Sequence, residues 1–356
     1  MGPGPSTVDP RVLRAMAAPL VGHLDPTFLE LMNGVMRGLR YVFGTENRLA
    51  LPMSGTGSAG METCLVNLLE PGNRALICIN GVFGLRLADI AERCGAEVLR
   101  VEAPWGEPID PDAVKRVLAR ERVDLVAIVH AETSTGVLQP LEEIARAVRE
   151  HDALLVVDAV TSLGGVAVNV DERLIDVCYS GTQKCLSAPP GLSPVTLGPR
   201  AERRLSLRKS KVRSWYLDLT MIAQYWGKER VYHHTAPISM MYALAEALNI
   251  VAEEGLAARE ERHRRISGLF CAGLEALGLE PFVPEAYRAP MLVTVKVPPG
   301  VDEAKVRAEL LQRYNIEIGG GLGDLKGKIW RVGLMGSSCT ENNVLLLLEA
   351  LKQILK

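Results

Sequence analysis

The chain has 356 residues, more than a single hydrophobic core usually accommodates, so its length predicts about two domains. Hydrophobic residues make up 48% and charged residues 23%, a balance typical of globular proteins that excludes a disordered or collagen-like chain. The formal net charge of -2 gives no field that would attract nucleic acid or an anionic membrane, so small molecules are the expected partners.

The cysteines and the apolar runs narrow the class of protein further. The seven cysteines form no CxxC pair, so we expect neither a disulfide framework nor a metal site. No apolar run approaches about 18 residues, and the start MGPGPS lacks the basic and apolar regions of a signal peptide. We therefore expect a cytoplasmic enzyme.

Residues 48–198 alternate short apolar runs with amphipathic stretches, which predicts an α/β fold with a mostly parallel sheet. Parallel strands are buried on both sides, so helices should cover both faces of the sheet. The predicted strands are residues 75–79, 98–101, 125–129, 154–157, 177–180 and 194–197. The predicted helices between them include residues 84–94, 111–120 and 141–150.

The glycine-rich segment SGTGSAG, residues 54–60, follows an apolar run and precedes a helical stretch. Its backbone amides and the helix N-terminus can hold a phosphate. The segment also fits GxGxxG, but the following strand ends in Asn80, where a dinucleotide site needs an acid. The hydroxyls of Thr56 and Ser58 favour a single phosphate ester. A dinucleotide site and a plain helix cap are the alternatives.

Asp158 directly follows four apolar residues and should end a buried strand. Ligands of open parallel sheets bind at the carboxyl ends of the strands. A carboxylate buried there needs a cationic or strongly donating partner, and a protonated pyridine nitrogen would serve.

Lys184 ends the next apolar run, after three small residues and Gln183, and should face the same edge. If the site is partly desolvated and near another cation, the amine is more readily neutral and can form a Schiff base with an aldehyde. The alternative is a lysine that extends to solvent. A lysine, an acid and a phosphate anchor in this order are what pyridoxal 5'-phosphate chemistry needs.

The pattern changes after residue 238, with a long helical stretch at residues 261–277 and alternation at 291–297 and 329–334. This predicts a smaller α+β domain, closed by a helix at 341–351 with Thr340 as its N-cap. The expected division is an N-terminal arm at 1–20, a large domain at 21–255 and a small domain at 256–356.

Several long motifs now make a family recognisable: GPGPS, HAETSTGVLQPL, VDAVTSLGG, SGTQK with PPG after it, YHHTAP and RVGLMG. Together they resemble the class V aminotransferases, most closely the alanine-glyoxylate and serine-glyoxylate (serine-pyruvate) branch, over essentially the whole chain. The resemblance implies the fold-type I architecture of these enzymes, with a seven-stranded, mostly parallel sheet, and pyridoxal 5'-phosphate as cofactor.

The resemblance also implies roles for individual residues. Lys184 matches the Schiff-base lysine, and Asp158 matches the partner of the pyridine nitrogen. The positions that match the phosphate anchor are Thr56, Gly57, Ser58 and Gln183.

Further matched positions surround the cofactor ring and the substrate. Phe83 matches the aromatic that stacks on the ring, Thr133 the residue beside the ring hydroxyl, and Arg331 the arginine that binds the substrate carboxylate. Tyr232 and Thr235 match residues that complete the phosphate anchor from the neighbouring subunit, which implies a homodimer with shared active sites. Eukaryotic members often have Trp at position 83 and His at position 58, so stacking and phosphate binding can differ here.

The predicted reaction is transfer of an amino group from alanine or serine to glyoxylate, giving glycine and pyruvate or hydroxypyruvate. Relatives with the same framework act on ureidoglycine, kynurenines or aminophosphonates, and these donors stay open. A lyase such as a cysteine desulfurase is a weaker alternative, because those enzymes resemble a pattern with His before the lysine, where this chain has Gln183. A nicotinamide dehydrogenase would rest on the glycine segment alone.

Overall fold

A computed structural model describes residues 1–356 and contains a seven-stranded sheet, a three-stranded sheet and a two-stranded ladder. The strands are β1 (Leu49–Ser54), β2 (Arg74–Ile79), β3 (Glu97–Glu102), β4 (Leu125–Val129), β5 (Ala131–Glu132), β6 (Val137–Leu138), β7 (Leu154–Asp158), β8 (Val177–Tyr179), β9 (Leu192–Leu197), β10 (Leu292–Lys296), β11 (Gly319–Gly320) and β12 (Ile329–Gly333).

The large sheet has the order β1-β9-β8-β7-β4-β2-β3. The strands from β8 to β3 run parallel, whereas β9 is antiparallel to both β8 and β1. Every residue of β4 and β7 is buried, which requires cover on both faces of the sheet. The predicted fold class is therefore confirmed.

The sequence pattern predicts six of the seven strands and misses β1. This strand lies at the edge of the sheet, and its run LALPMS includes Pro52, a residue that normally argues against a strand. Proline is tolerated at an edge, because an edge strand has one side without ladder hydrogen bonds. The antiparallel direction of β9 is a further feature that the alternating pattern does not predict.

The helices are α1 (Pro10–Met16), α2 (Pro26–Phe43), α3 (Gly57–Leu68), α4 (Val82–Arg93), α5 (Pro111–Leu118), α6 (Glu142–Glu150), α7 (Pro199–Ser206), α8 (Leu219–Trp226), α9 (Ile238–Glu254), α10 (Leu256–Ala276), α11 (Glu303–Tyr314) and α12 (Glu341–Ile354). Thr340 caps α12 as predicted, since its side chain accepts from the Asn343 amide. Helix α10 begins five residues earlier than predicted, directly after the turn at Gly255. None of the helices combines the length and apolar character that a membrane span requires.

The chain forms two large hydrophobic cores, one on each side of residues 255 and 256. The larger joins α2, α9 and the seven-stranded sheet with residues between Phe28 and Val251. The smaller joins α10, α11, α12 and the antiparallel sheet β10-β12-β11 with residues between Ile266 and Leu351. The division at residues 255 and 256 stays a prediction about domains.

The first six residues run between these two cores. The carbonyl of Met1 accepts from the Gly333 amide of β12 at 2.8 Å, and the Ser6 amide donates to the Gln183 carbonyl at 2.8 Å. The Ser6 hydroxyl donates to the Lys184 carbonyl at 2.7 Å. The N-terminal segment, residues 1–6, thus links the small sheet to the turn that carries Lys184.

Candidate active site

The carboxyl ends of three neighbouring strands bring the predicted catalytic residues together. Val129, Asp158 and Tyr179 end β4, β7 and β8, and they are paired in register across the sheet. The chain leaves β8 and reaches Lys184 five residues later, at the same edge. The edge that sequence reasoning predicts for ligand binding therefore holds both Asp158 and Lys184.

Asp158 is a buried acid, only 3% exposed. One carboxylate oxygen accepts from the Val160 amide at 2.8 Å, and the other accepts from the Tyr179 hydroxyl at 2.7 Å. Burial raises the pKa of Asp158 to about 6, although both hydrogen bonds act in the opposite direction. At neutral pH this carboxylate can pair with a cationic nitrogen in the cavity, which would recover part of the cost of its burial.

Lys184 is 9% exposed, and its ammonium donates to the carbonyl of Pro3 in the N-terminal segment. Burial, together with the positive charge of Arg331, lowers the pKa of Lys184 to about 8. A substantial fraction of the amine is therefore neutral at mildly alkaline pH. A neutral, positioned amine is the nucleophile that an aldehyde cofactor requires.

The start of α3 has the donors of an anion site. Thr56 is the N-cap, and its side chain makes no capping hydrogen bond. The first amides of the helix, from Gly57 and Ser58, have no intrahelical acceptor and point out of the helix end. The buried Oε1 atom of Gln183 also lacks a partner. Since the two ends of an amide are assigned from their surroundings, the Gln183 side chain can equally present its NH2 group to an anion.

A phosphate ester on a pyridine aldehyde fits this arrangement. Its phosphate would find donors in the amides and hydroxyls at the start of α3, and the Gln183 side chain would gain the partner that it lacks. The Asp158 carboxylate could pair with a protonated ring nitrogen, and the Lys184 amine could react with the aldehyde. The residues present therefore suit the cofactor.

Phe83 lies in the first turn of α4, where Glu132 holds the helix in place. The Glu132 carboxylate accepts from the amides of Phe83 and Gly84 at 3.2 and 3.3 Å, and from the amide and hydroxyl of Ser134 at 3.0 and 2.6 Å. A Cβ at Gly81 would overlap the Glu132 side chain, so glycine permits this approach. Burial raises the pKa of Glu132. The carboxylate thereby joins the helix that presents Phe83 to the segment that contains Thr133.

Arg331 lies on β12 of the small sheet and is 8% exposed. Its guanidinium donates to the Gly320 carbonyl at 2.7 Å and to the Thr133 carbonyl at 3.2 Å. The hydroxyl of Thr133 is 2.6 Å from that of Thr161. Arg331 therefore reaches from the small sheet to the cavity edge, with donors remaining for a carboxylate.

A cavity of about 180 Å³ unites most of the predicted cofactor residues. Its lining consists of Thr56, Gly57, Ser58, Met61, Phe83, Arg86, Val129, Ala131, Thr133, Asp158, Val160, Gln183 and Lys184. Arg331 is outside this lining, beside it.

Tyr232 and Thr235 are not part of the cavity of their own chain. Both are exposed, Tyr232 by 52%, and their hydroxyls lie 3.2 Å apart. Nearby Trp215 is 62% exposed. The structure of one chain therefore does not unite this pair with Lys184.

Sequence reasoning missed four residues whose polar groups shape the site: Pro3, Arg86, Glu132 and Tyr179. It also missed the apolar part of the cavity lining, which consists of Met61, Val129, Ala131 and Val160. Tyr179 and Glu132 bear signals that could have found them. A tyrosine in a buried strand needs a partner for its hydroxyl, and an acid three residues after the apolar run at 125–129 needs partners for its carboxylate. Arg86 follows Phe83 by three residues, so the helical period places it on the same face. No sequence signal indicates that the Pro3 carbonyl meets Lys184.

A buried lysine, a buried acid and a helix N-terminus with free amides, all at one sheet edge, are the features that a site for pyridoxal 5'-phosphate needs. Comparison with known proteins gives the family. The family model of class-V aminotransferases matches residues 11–325. The chain belongs to this family, and the predicted reaction class and cofactor are thereby confirmed: it is an aminotransferase that uses pyridoxal 5'-phosphate.

Individual relatives are similar over the full chain. It is 43% identical to the (S)-ureidoglycine-glyoxylate transaminase of Bacillus subtilis, covering 100% of this chain and 90% of the relative. It is 41% identical to the alanine-glyoxylate aminotransferase of Rattus norvegicus, covering 100% and 87%. The crystal structure of alanine-glyoxylate aminotransferase from Nostoc sp. matches with a TM-score of 0.99 and 49% identity, covering 100% and 94%. These names support transamination that involves glyoxylate.

Proposed function

We propose that this enzyme transfers the amino group of a small L-amino acid, alanine or serine, to glyoxylate, and so produces glycine and pyruvate or hydroxypyruvate. The observation that carries the proposal is the position of Pro3. Its carbonyl accepts from the Lys184 ammonium, and its ring would contact a Cβ at Gly319, a position that also lies close to the Arg331 guanidinium. Pro3 therefore narrows the space between Lys184 and Arg331, which favours a donor with a short side chain.

Arg331 supports a donor with one carboxylate. A planar guanidinium binds a carboxylate through two parallel hydrogen bonds, and this geometry fixes the orientation of the substrate. Burial lowers the pKa of Arg331, yet the group stays charged at neutral pH. The negative charge of a substrate carboxylate would compensate this buried cation.

We assign the remaining roles as follows. When it is bound, pyridoxal 5'-phosphate supplies an aldehyde for the amino group and a ring that accepts electrons from the substrate α-carbon. Lys184 Nζ would take the proton from the substrate α-carbon and return it to the cofactor carbon that carried the aldehyde. Asp158 holds the proton on the ring nitrogen through its charge. The side chains of Phe83 and Thr133 orient the ring, and the phosphate anchor consists of Thr56, Gly57, Ser58 and Gln183.

The pKa values of Lys184 and Asp158 agree with these roles. A lysine with a pKa of about 8 exchanges a proton near working pH, as a general base should. Asp158, with a pKa of about 6, is ionised at pH 7.5 and can compensate a positive ring nitrogen. The Tyr179 and Val160 donors orient its carboxylate before the cofactor arrives.

Ureidoglycine is the second candidate donor, because the Bacillus subtilis relative named for it is 43% identical over the whole chain. Ureidoglycine also has one carboxylate, so Arg331 does not discriminate between the two donors. The discriminating feature would be the room beside Pro3, since a ureido group is longer than the side chains of alanine and serine.

A donor panel tests the proposal. The cofactor-loaded protein is mixed in single turnover with L-alanine, L-serine, (S)-ureidoglycine or L-aspartate, and the loss of the visible absorbance of the cofactor is followed. Glyoxylate or pyruvate is then added to restore it. We expect rapid loss with alanine or serine and recovery with glyoxylate. If the absorbance is lost faster with ureidoglycine than with alanine or serine, ureidoglycine is the donor and the proposed donor is wrong. If glyoxylate does not restore the absorbance, the proposed acceptor is wrong.

We further propose a homodimer in the cytoplasm, in which Tyr232 and Thr235 of one subunit complete the phosphate anchor of the other. The exposure of Tyr232, Thr235 and Trp215 supports a contact surface in this region. Mixing inactive Lys184→Ala subunits with inactive Tyr232→Ala subunits tests it. A hybrid dimer has one site with both wild-type residues, so activity should return upon mixing. Mixtures that stay as inactive as the separate variants would contradict shared sites.

A further inference from the structure

Arg86 connects two parts of the cavity that the assigned roles treat separately. It lies on α4, three residues after Phe83, and its guanidinium carbon is 4.9 Å from the centre of the Phe83 ring. Its Nη1 atom donates to the hydroxyl of Ser58 at 3.1 Å. One guanidinium therefore contacts both the ring-stacking side chain and the phosphate end of the cavity.

The charges of the cavity lining are unbalanced for a phosphorylated cofactor. Only three residues of the lining are charged: Arg86, Asp158 and Lys184. A phosphate monoester has a charge between about -1.5 and -2 at neutral pH. Lys184 reacts with the aldehyde, and Asp158 is negative. Arg86 is thus the one cation of the lining that remains for the phosphate, beside the partial positive charge at the start of α3.

We propose that Arg86 is a phosphate-binding residue of the cofactor site. The inference rests on the proposed assignment of Thr56, Gly57 and Ser58 to the phosphate. The guanidinium of Arg86 compensates the negative charge of the phosphate. Its hydrogen bond to Ser58 also holds the Ser58 hydroxyl in place to bind the same phosphate. Arginine suits this position because its planar donors can serve the Ser58 hydroxyl and a phosphate oxygen at the same time.

The test compares two aldehydes that differ only in the phosphate. The cofactor-free wild type and Arg86→Gln are titrated with pyridoxal 5'-phosphate and with pyridoxal, and binding is followed by the change in tryptophan fluorescence. We expect Arg86→Gln to weaken binding of the phosphorylated form about tenfold, which corresponds to ~1.4 kcal/mol. Binding of pyridoxal should change less than about twofold on the same scale. Arg86→Lys should retain part of the difference, because it keeps the charge.

A matched control lies on the same helix. Arg93 pairs with Asp89 at 2.9 Å and is not in the cavity lining, so Arg93→Gln should change neither affinity. Equal weakening of both aldehydes by Arg86→Gln would overturn the proposal, because it would place the effect at the ring or in the fold. An unchanged affinity for the phosphorylated form would overturn it too.

Variants of the phosphate anchor show whether the role of Arg86 is wrong or the position assigned to the phosphate is wrong. Thr56→Val and Ser58→Ala should also weaken binding of the phosphorylated form selectively. If they do so while Arg86→Gln does not, only the role of Arg86 is wrong. If neither they nor Arg86→Gln distinguish the two aldehydes, the phosphate lies elsewhere.

Discussion

Replacement of Asp158 by Asn should stabilise the cofactor-free protein at neutral pH while it damages the enzyme. Burial raises the pKa of this acid from 3.8 to about 6, and its side chain is 3% exposed, so solvent screens the effect little. The difference between these two pKa values corresponds to ~3 kcal/mol of unfavourable free energy for the ionised form in the folded protein. Asparagine has the same shape, can accept from the Val160 amide, and can hydrogen-bond to Tyr179 without the charge.

The pH dependence has a definite sign. Because the folded-state pKa is raised, the folded protein binds more protons than the unfolded chain between pH 3.8 and about 6. The cost of burying the ionised Asp158 is therefore absent below pH 3.8 and complete above about pH 6. The stability gained by Asp158→Asn should be ~3 kcal/mol at pH 7.5 and should vanish towards pH 4.

Urea unfolding of the cofactor-free wild type and Asp158→Asn, at equal protein concentration and several pH values, measures this difference. Asp324→Asn is the control, since Asp324 is exposed and takes part in no ion pair, so its substitution should leave the stability difference near zero. With the cofactor bound, Asp158→Asn should reduce turnover about 100-fold or more, because the charge that holds the ring proton is lost. A variant that is less stable than wild type at pH 7.5, or a gain that does not change with pH, would refute the reasoning.

Two further predictions concern Lys184 and Glu132. The rate at which Lys184 reacts with pyridoxal 5'-phosphate should rise with pH and level off above about 8, because the neutral amine is the nucleophile. Stopped-flow absorbance measures this rate, and a rate that keeps rising past about pH 9, as that of an ordinary lysine does, would contradict the lowered pKa. Glu132→Ala should lower the free energy of unfolding by ~3 kcal/mol, since four donors to the carboxylate lose their acceptor. Urea unfolding measures this change, with Glu121→Ala as an exposed control. A loss no larger than that of Glu121→Ala would mean that water replaces the buried carboxylate.

The sequence predicts the residues at the carboxyl ends of the parallel strands well, because their positions follow from the residues directly before them. An apolar run followed by Asp158 or by the turn to Lys184 places each residue at the end of a buried strand, whatever the rest of the fold. The glycine segment likewise precedes α3, and the N-cap of α12 is correctly assigned to Thr340. These features depend on propensities within a few residues.

The remainder of the site depends on contacts between distant segments. Glu132 meets the amides of Phe83 and Gly84 across about fifty residues, and the Pro3 carbonyl meets Lys184 across 181 residues. Such pairs follow from the order of strands in the sheet, which the pattern of alternating runs does not determine. The roles of Tyr232 and Thr235 depend on a second subunit, so they stay predictions.

The transfer of labelled nitrogen tests the proposed reaction most directly. The cofactor-loaded enzyme is incubated with ¹⁵N-labelled L-alanine and glyoxylate, and mass spectrometry follows the glycine that forms. We predict that wild type produces ¹⁵N-glycine and pyruvate in equal amounts, and that Lys184→Ala produces neither at a comparable rate. Absence of labelled glycine with alanine and with serine, or equal production by Lys184→Ala, would contradict amino transfer to glyoxylate through Lys184.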